Sequence, residues 1–125
     1  MAIMTENIDR SVWVNYFNEF TRRNQSRPTR LEMFGELGAQ EQEHGLPFEG
    51  ITMTNAGSLP SIEIMLGGHD ADRTKHLTHV IPAVQEITPK VGLDGRDEAL
   101  EIVSGEGYRN LLCFEREARM AAAAH

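Results

Sequence analysis

The spacing of apolar residues in this chain changes at Pro28, and that change limits the fold more than any other feature. Before Pro28, apolar side chains recur every three or four residues, which is the period of one face of a helix. The residues on this face are Val12, Trp13, Tyr16, Phe17 and Phe20. Asp9 is the expected N-cap, and Ile8 is expected to pack against Trp13 as a hydrophobic staple. The pattern predicts an amphipathic helix over residues 9–24 whose aromatic face contributes to a core.

After Pro28 the apolar residues alternate with other residues, so the period becomes two, which is typical of half-buried strands. The alternating segments are 30–34, 51–53, 62–66, 76–81, 100–103 and 111–114. Glycine-bearing segments separate them and leave no room for crossover helices, so neighbouring strands are expected to pair antiparallel. The polar segment 39–45 has two interpretations, an edge strand paired back onto residues 30–34 or one turn of helix. We expect an α+β fold, with one N-terminal amphipathic helix packed on a meandering antiparallel sheet of five or six strands.

Length and charge limit the number of domains and the kinds of partner. The chain has 125 residues, which fit a single domain over 1–125, with an ordered core at about 8–116 and a tail at 117–125. Its formal charge of −7 would repel phosphate backbones unless basic residues clustered on one face. The basic residues that do cluster lie near the end of the predicted helix, where the helix dipole favours cations: Arg22, Arg23, Arg27 and Arg30. We therefore expect no nucleic-acid partner.

Cysteine content and hydropathy indicate the compartment. Cys113 is the single cysteine, so an internal disulfide is excluded and nothing favours an oxidising compartment. It lies in the apolar run LLCF, where a buried structural thiol is expected rather than a reactive thiolate. The N-terminal MAIMTENIDR has no basic region followed by an apolar core, and no apolar run approaches the roughly 20 residues that cross a bilayer. We expect a cytoplasmic protein with no membrane partner.

Three of the five histidines fall in one segment, GGHDADRTKHLTHVIP at residues 67–82. The segment brings together five side chains that could hold a metal or act as acid and base, here termed the histidine cluster: His69, Asp70, Asp72, His76 and His79. On a helix, His76 and His79 would share a face and could bind one ion.

The local pattern favours a strand for HLTHVI, and a strand separates the two histidines. Residues three apart in a strand point to opposite faces, so His76 and His79 could share an ion only across a bulge. His79 is expected beside Leu77 and Ile81 on the apolar face, where it needs a hydrogen-bond partner such as a backbone carbonyl or a cross-strand glutamate. His76 is expected on the opposite face.

The loop residues of the histidine cluster fit no familiar metal motif. Asp70 and Asp72 lie in GGHDADRTK, where aspartates commonly accept bonds from nearby backbone amides. A calcium loop would need D-x-D-x-D-G and a distant glutamate, which this segment lacks. The common nucleophile, zinc and phosphate-loop motifs are also absent from the sequence, so we assign no catalytic residue, no metal and no cofactor.

Several sequence motifs together resemble those of a known family. They are GLPFEGI at 45–51, IEIMLG at 62–67, HLTHVI at 76–81, ALEI at 99–102 and LLCF at 111–114, preceded by the tryptophan-containing helix. Over residues 8–116 the chain resembles a family of small bacterial proteins classed as a domain of unknown function. The resemblance implies that HLTH belongs to the shared framework of that family. It implies no reaction, substrate or cofactor, and it lends no functional residues.

Three functional hypotheses follow from these patterns. The leading hypothesis is a non-catalytic binding or assembly module that self-associates through a sheet edge or face, with a homodimer as the expected assembly. The second is a small hydrolase or isomerase in which a histidine and a carboxylate form an acid/base pair, drawn from His76, His79, Asp70, Asp72 or a strand glutamate. The third is a metal-binding domain built on His69, Asp70, Asp72 and His76.

Overall fold

The computed structural model describes residues 2–4, 6–35, 38–54, 59–67, 76–105 and 107–115. A 3₁₀ turn at Arg10–Val12 leads into the helix α1 at Trp13–Asn24. The strands are β1 (Ala2–Met4), β2 (Pro28–Gly35), β3 (Gly38–Thr54), β4 (Ser61–Gly67), β5 (His76–Ile81), β6 (Val84–Gly92), β7 (Asp97–Ser104) and β8 (Arg109–Phe114). All neighbouring strands pair antiparallel, as the sequence predicts.

The predicted helix 9–24 is divided into the 3₁₀ turn Arg10–Val12 and the helix α1, which begins at Trp13. The Asp9 carboxylate accepts from the Ser11 amide at 3.1 Å, so Asp9 is the N-cap of the 3₁₀ turn. The Trp13 indole donates to the Ile8 carbonyl at 2.8 Å and fixes the path by which the chain enters the helix. The predicted aromatic face packs into the core, where three of its side chains are at most 1% exposed: Trp13, Phe17 and Phe20.

Two meanders form the sheet, and the last strand of one pairs with the first strand of the other. The strand order is β1-β6-β7-β8-β2-β3-β4-β5. Among the described residues, seven strands have six residues or more, and β1 adds three residues at one edge. The prediction of five or six strands is therefore wrong in number, whereas the antiparallel sheet and the helix packed on it are confirmed.

Two strands are not predicted from the sequence, the three-residue β1 and the nine-residue β6, and β6 contains a proline. Pro89 lies inside β6, opposite Leu100 of β7, although proline has no N–H to donate to a sheet. β1 pairs with β6 only at Val91 and Gly92. At Pro89, the neighbour of β6 among the described strands is therefore β7 alone. Proline is tolerated at such edge positions, so it does not break the strand here.

The longest strand, β3, is shared between two parts of the sheet. Its residues 38–47 pair with β2, and its residues 48–54 pair with β4. The polar segment 39–45 is therefore a strand paired back onto β2, as one of its two interpretations predicted, and not a turn of helix. Gly45 has a φ of 88° near the place where β3 changes partners, a backbone conformation that suits glycine.

The sheet curls around a core that α1 closes. The Thr21 hydroxyl accepts from the Ile51 amide at 3.1 Å, which joins α1 to β3. The Ile8 amide donates to the Ile87 carbonyl at 3.0 Å, which joins the segment before α1 to β6. Three aromatic rings from α1, β3 and β8 meet in the core with centroids 5.6 Å apart in each pair: Phe20, Phe48 and Phe114. Within the described part of the chain, no helix combines the length and the apolar character that crossing a bilayer requires.

Candidate functional site

The histidine cluster lies partly on β5 and partly outside the described residues. His69, Asp70 and Asp72 fall in the segment 68–75, which the structure does not describe. His76 begins β5, and His79 lies in its second half. The metal hypothesis needs the three loop residues, so it stays a prediction. Among the residues that are described, no group of three or more histidine, cysteine, aspartate or glutamate side chains could hold a metal ion.

The side chains of β5 alternate between two faces, as the sequence predicts. Leu77 and His79 are half-buried and Ile81 is buried, so these three lie on the inner face. The alternate side chains are exposed: His76, Thr78 and Val80. The prediction that His76 and His79 lie on opposite faces of one strand is confirmed.

On the inner face, the ring of His79 meets a side chain from the far side of the sheet. Its Nε2 lies 3.3 Å from Oδ1 of Asn110, a residue of β8 that is 3% exposed. β5 and β8 are four places apart in the strand order, so this contact crosses the interior of the curled sheet. His79 has the hydrogen-bond partner that its burial requires, and this partner is a side-chain amide rather than either of the two examples given above. The curl brings Asn110 to His79, and periodicity does not reveal it.

On the outer face, His76 approaches a carboxylate. Its Nδ1 lies 3.3 Å from Oε2 of Glu49 on β3, and the two side chains are 52% and 27% exposed. Solvent therefore screens much of the attraction between them. The pair brings together one histidine and one strand glutamate, as the acid/base hypothesis requires. The pocket of that hypothesis would lie beside the loop 67–75, most of which is outside the described residues, so the hypothesis stays a prediction.

A second polar cluster, which the sequence analysis does not assign, lies where the end of α1 meets the start of β7. Asp97 is 5% exposed, and its carboxylate accepts from Nε and Nη2 of Arg23 at 2.9 Å and 3.2 Å. Asn24 donates to the same carboxylate at 2.8 Å and to the Phe20 carbonyl at 2.9 Å. The hydrogen bond to Asp97 raises the pKa of the Arg23 guanidinium. These bonds satisfy a buried charge and join the last turn of α1 to β7.

Arg27 extends this cluster from the segment that follows α1. Its Nη1 donates to Oδ1 of Asn24 at 2.7 Å and to the backbone carbonyl of Asp97 at 2.9 Å. Its Cζ lies 4.4 Å from the centroid of the Phe114 ring, which is a cation–π distance. The hydrogen bonds and the ring together fix the plane of the Arg27 guanidinium.

An open cleft of about 270 Å³, here termed the arginine cleft, lies beside this cluster. Its lining consists of Arg23, Asn24, Arg27, Gly95, Arg96 and Asp97. Three guanidinium groups and one carboxylate give the lining a net positive charge, although the whole chain has a formal charge of −7. The arginine cleft therefore has an electrostatic character opposite to that of the protein as a whole.

From the sequence alone, the arginines near the end of α1 are explained by the helix dipole, because the carboxylate that binds Arg23 is remote in the chain. Asp97 is 74 positions after Arg23 and lies in LDGRDE, a segment interpreted as a turn. Apolar periodicity carries no information about which turn meets the end of a helix. In the sequence, the one indication of this polar cluster is that several arginines lie close together near the end of the helix.

The lone cysteine agrees with the structural role predicted for it. Cys113 is half-buried on β8 and is a free thiol. Burial raises the pKa of this thiol, and the nearby Arg30 guanidinium opposes that rise. A raised pKa lowers the thiolate fraction at neutral pH, so Cys113 lacks the activation of a reactive cysteine.

A comparison with protein families agrees with the resemblance seen in the sequence motifs. The model of DUF5335, a family of unknown function, matches residues 4–123. The chain belongs to this family. No curated protein and no solved structure matches the chain. Membership of DUF5335 assigns no reaction, substrate or partner, so the function must be inferred from the geometry of the protein itself.

Proposed function

We propose that the protein is a non-catalytic assembly module that forms a homodimer through the outer edge of β5. The observation that supports this proposal is the strand order, in which β5 is last and pairs with β4 alone among the described strands. A strand with one neighbour has unpaired backbone N–H and C=O groups along its other edge. Such an edge is a template for pairing with a further strand.

The sequence of β5 lacks the features that usually protect an edge. Natural edge strands carry lysine, proline or a bulge, or are very short. HLTHVI contains no lysine and no proline, and its register with β4 runs without a shift from His76 to Ile81. Val80 on the outer face is 51% exposed. On the opposite side of the sheet, β1 covers β6 only at Val91 and Gly92, and the uncovered part of β6 contains Pro89, a residue that protects an edge. β5 is therefore the edge that favours association.

The proposed partner is a second copy of the same strand. Antiparallel pairing of β5 with β5 relates the two copies by a two-fold axis, the commonest symmetry of homodimers. HLTHVI contains no acidic residue, so two copies of this acidic chain would meet at a segment without like-charge repulsion between carboxylates. A strongly charged partner would gain no ion pair with a lysine, arginine or carboxylate of this strand, which favours a second copy over such a partner.

The proposal includes a bacterial cytoplasmic location. The single cysteine, Cys113, favours a reducing compartment, and the sequence motifs resemble those of small bacterial proteins. A dimer held by strand pairing needs no disulfide, so it is compatible with that compartment.

Paired lysine substitutions on β5 test the proposal. Thr78→Lys combined with Val80→Lys places two positive charges on the edge of each copy, so that strand pairing brings like charges together. We expect wild type to sediment as a dimer in a concentration-dependent equilibrium. The double variant should have a dimer dissociation constant raised by at least about ten-fold.

Thr52→Lys combined with Thr54→Lys is the matched control. Both threonines are exposed on β3, where β3 pairs with β4 and the neighbouring Ile51 amide donates to the Thr21 hydroxyl of α1. The control adds the same charge away from β5 and should leave the dimer intact, while circular dichroism verifies that each variant is folded. A wild-type protein that is strictly monomeric at about 1 mM contradicts the proposal, as does a β5 variant that dimerises as tightly as wild type.

A further inference from the structure

We propose that the arginine cleft binds a small oxyanion of the phosphate class. This inference goes beyond the assembly function, because the arginine cleft and β5 share no residue. It rests on the charge of the lining, on the fixed orientation of two arginines and on the volume of the cleft.

The charge of the lining favours an anion. Arg23, Arg27 and Arg96 bring three guanidinium groups to the cleft, and Asp97 brings one carboxylate. Both oxygens of that carboxylate already accept hydrogen bonds from Arg23. Three guanidinium groups beside one carboxylate attract small anions to this lining, although the formal charge of the whole chain is −7.

Two of the three arginines are held in position by the protein itself. Arg23 gives Nε and Nη2 to Asp97, and Arg27 gives Nη1 to Asn24 and to the Asp97 backbone while lying over the Phe114 ring. A guanidinium has five N–H donors, and 44% of the Arg23 side chain is exposed, so Arg23 retains donors for a ligand. Binding an anion therefore requires little ordering of these side chains, which lowers its entropic cost.

The turn between β6 and β7 presents the third arginine. The Gly95 amide donates to the Gly92 carbonyl at 3.0 Å, and the Arg96 amide donates to the Asp94 carboxylate at 3.0 Å. Gly95 has a φ of 84°, and no atom lies within 4 Å of the place that its Cβ would occupy, so the cleft is open at this point.

Guanidinium geometry and the size of the cleft define the ligand class. Arginine binds phosphate and carboxylate oxygens through paired, charge-assisted N–H···O bonds. A volume of about 270 Å³ is near the lower limit of small-molecule pockets, so it suits phosphate or a phosphomonoester with a short substituent. The overall charge of −7 opposes the binding of long phosphate polymers. Free phosphate and a phosphomonoester share the recognised group, and the experiment separates them.

Isothermal titration calorimetry at low ionic strength tests the proposal with two probes, inorganic phosphate and glycerol 3-phosphate. Arg96→Gln removes one cation from an exposed turn and should weaken the binding of either probe by about ten-fold. Arg22→Gln is the matched control, because Arg22 pairs with Glu19 on α1 and does not line the cleft. It should change either affinity by less than about two-fold. Tighter binding of glycerol 3-phosphate would assign a phosphomonoester as the preferred ligand, and equal binding would assign the phosphate group alone.

The variant Asp97→Asn distinguishes a cleft that binds phosphate from a polar cluster that only stabilises the fold. Asparagine keeps one oxygen acceptor that can hold Arg23 and removes the negative charge, so the cleft becomes more positive and phosphate affinity should rise by at least about three-fold. A purely structural cluster would show no phosphate affinity to increase. The proposal is overturned if wild type shows no heat of binding at about 10 mM phosphate, or if Arg96→Gln binds as tightly as wild type. If Asp97→Asn does not fold, the comparison of Arg96→Gln with Arg22→Gln decides.

Discussion

At the scale of single residues, Asp97 joins parts of the chain that are far apart in sequence. Its side chain accepts from Arg23 and Asn24, and its backbone carbonyl accepts from Arg27. The carboxylate is almost fully buried, so each lost bond leaves a polar group without its partner in a place that water reaches poorly. The junction between the end of α1 and the start of β7 therefore depends on one side chain.

Replacement of Asp97 by alanine should lower the free energy of unfolding by about 3 kcal/mol, because buried donors lose their acceptor. Urea denaturation followed by circular dichroism measures the change. Glu101→Ala is the control. Glu101 pairs with the exposed Arg109 at 3.5 Å, so this variant should lower the free energy of unfolding by about 0.5 kcal/mol. Equal losses in the two variants would contradict the role assigned to Asp97.

At the same scale, the buried hydroxyl of Tyr16 makes the stability of the folded protein depend on pH. Burial raises the pKa of its hydroxyl, with a smaller contribution from the charge of Asp97. An unfolded tyrosine ionises near about pH 10, so above this pH the folded state holds a proton that the unfolded state releases. The stability that Tyr16 contributes is therefore fully present below about pH 10 and is lost as the pH rises further.

Urea midpoints measured from about pH 8 to about pH 11 should fall more steeply in wild type than in Tyr16→Phe, which has no hydroxyl to ionise. Tyr108→Phe is the matched control, because Tyr108 is the exposed tyrosine at 38% and its loss should preserve the wild-type slope. Identical alkaline slopes in Tyr16→Phe and wild type would show that Tyr16 does not govern this transition.

At the scale of elements, α1 contributes to stability mainly through one face. Phe20 is fully buried and its ring lies 5.6 Å from the rings of both Phe48 and Phe114. Val14 on the opposite face is 53% exposed. The helix is therefore held by its aromatic side, and its outer side is free to vary.

Phe20→Ala should lower the free energy of unfolding by about 4 kcal/mol, because it leaves a cavity among rings from three elements. Val14→Ala, the matched control on the same helix, should change it by about 0.5 kcal/mol or less. Thermal and urea unfolding of the two variants check both values. A small loss in Phe20→Ala would indicate that the core collapses readily around the missing ring.

The helix and strands also show which parts of the structure can be predicted from a single sequence. The helix, most of the strands and the two faces of β5 follow from local periodicity, because burial of one face imposes that pattern on the side chains. β6 is missed because Pro89 interrupts the strand pattern, and the pairing of Arg23 with Asp97 is missed because it depends on topology. The partner of His79 is missed for the same reason, since Asn110 reaches it only across the curled sheet.

At the scale of the whole molecule, the curl of the sheet determines which strands keep an unpaired edge. The change of partners within β3 and the contact between His79 and Asn110 bring distant strands to one interior. β5 remains at one end of the strand order and β1 at the other. The proposed homodimer belongs to this scale, because pairing of two β5 edges would continue one sheet through both copies and remove that edge from each.

The pairing of β2 with β8 also governs when the protein can fold. Thr29 lies opposite Phe114 and Phe34 opposite Arg109, so the centre of the sheet joins an early segment of the chain to a late one. During synthesis, β2 emerges from the ribosome long before its partner exists, and the two meanders cannot join until residue 114 is available. Such long-range pairing is slow because a long loop must close first. Until β8 has been synthesised, the nascent chain therefore lacks the strand that covers one edge of β2 and the core residues that β8 contributes, Leu112 and Phe114.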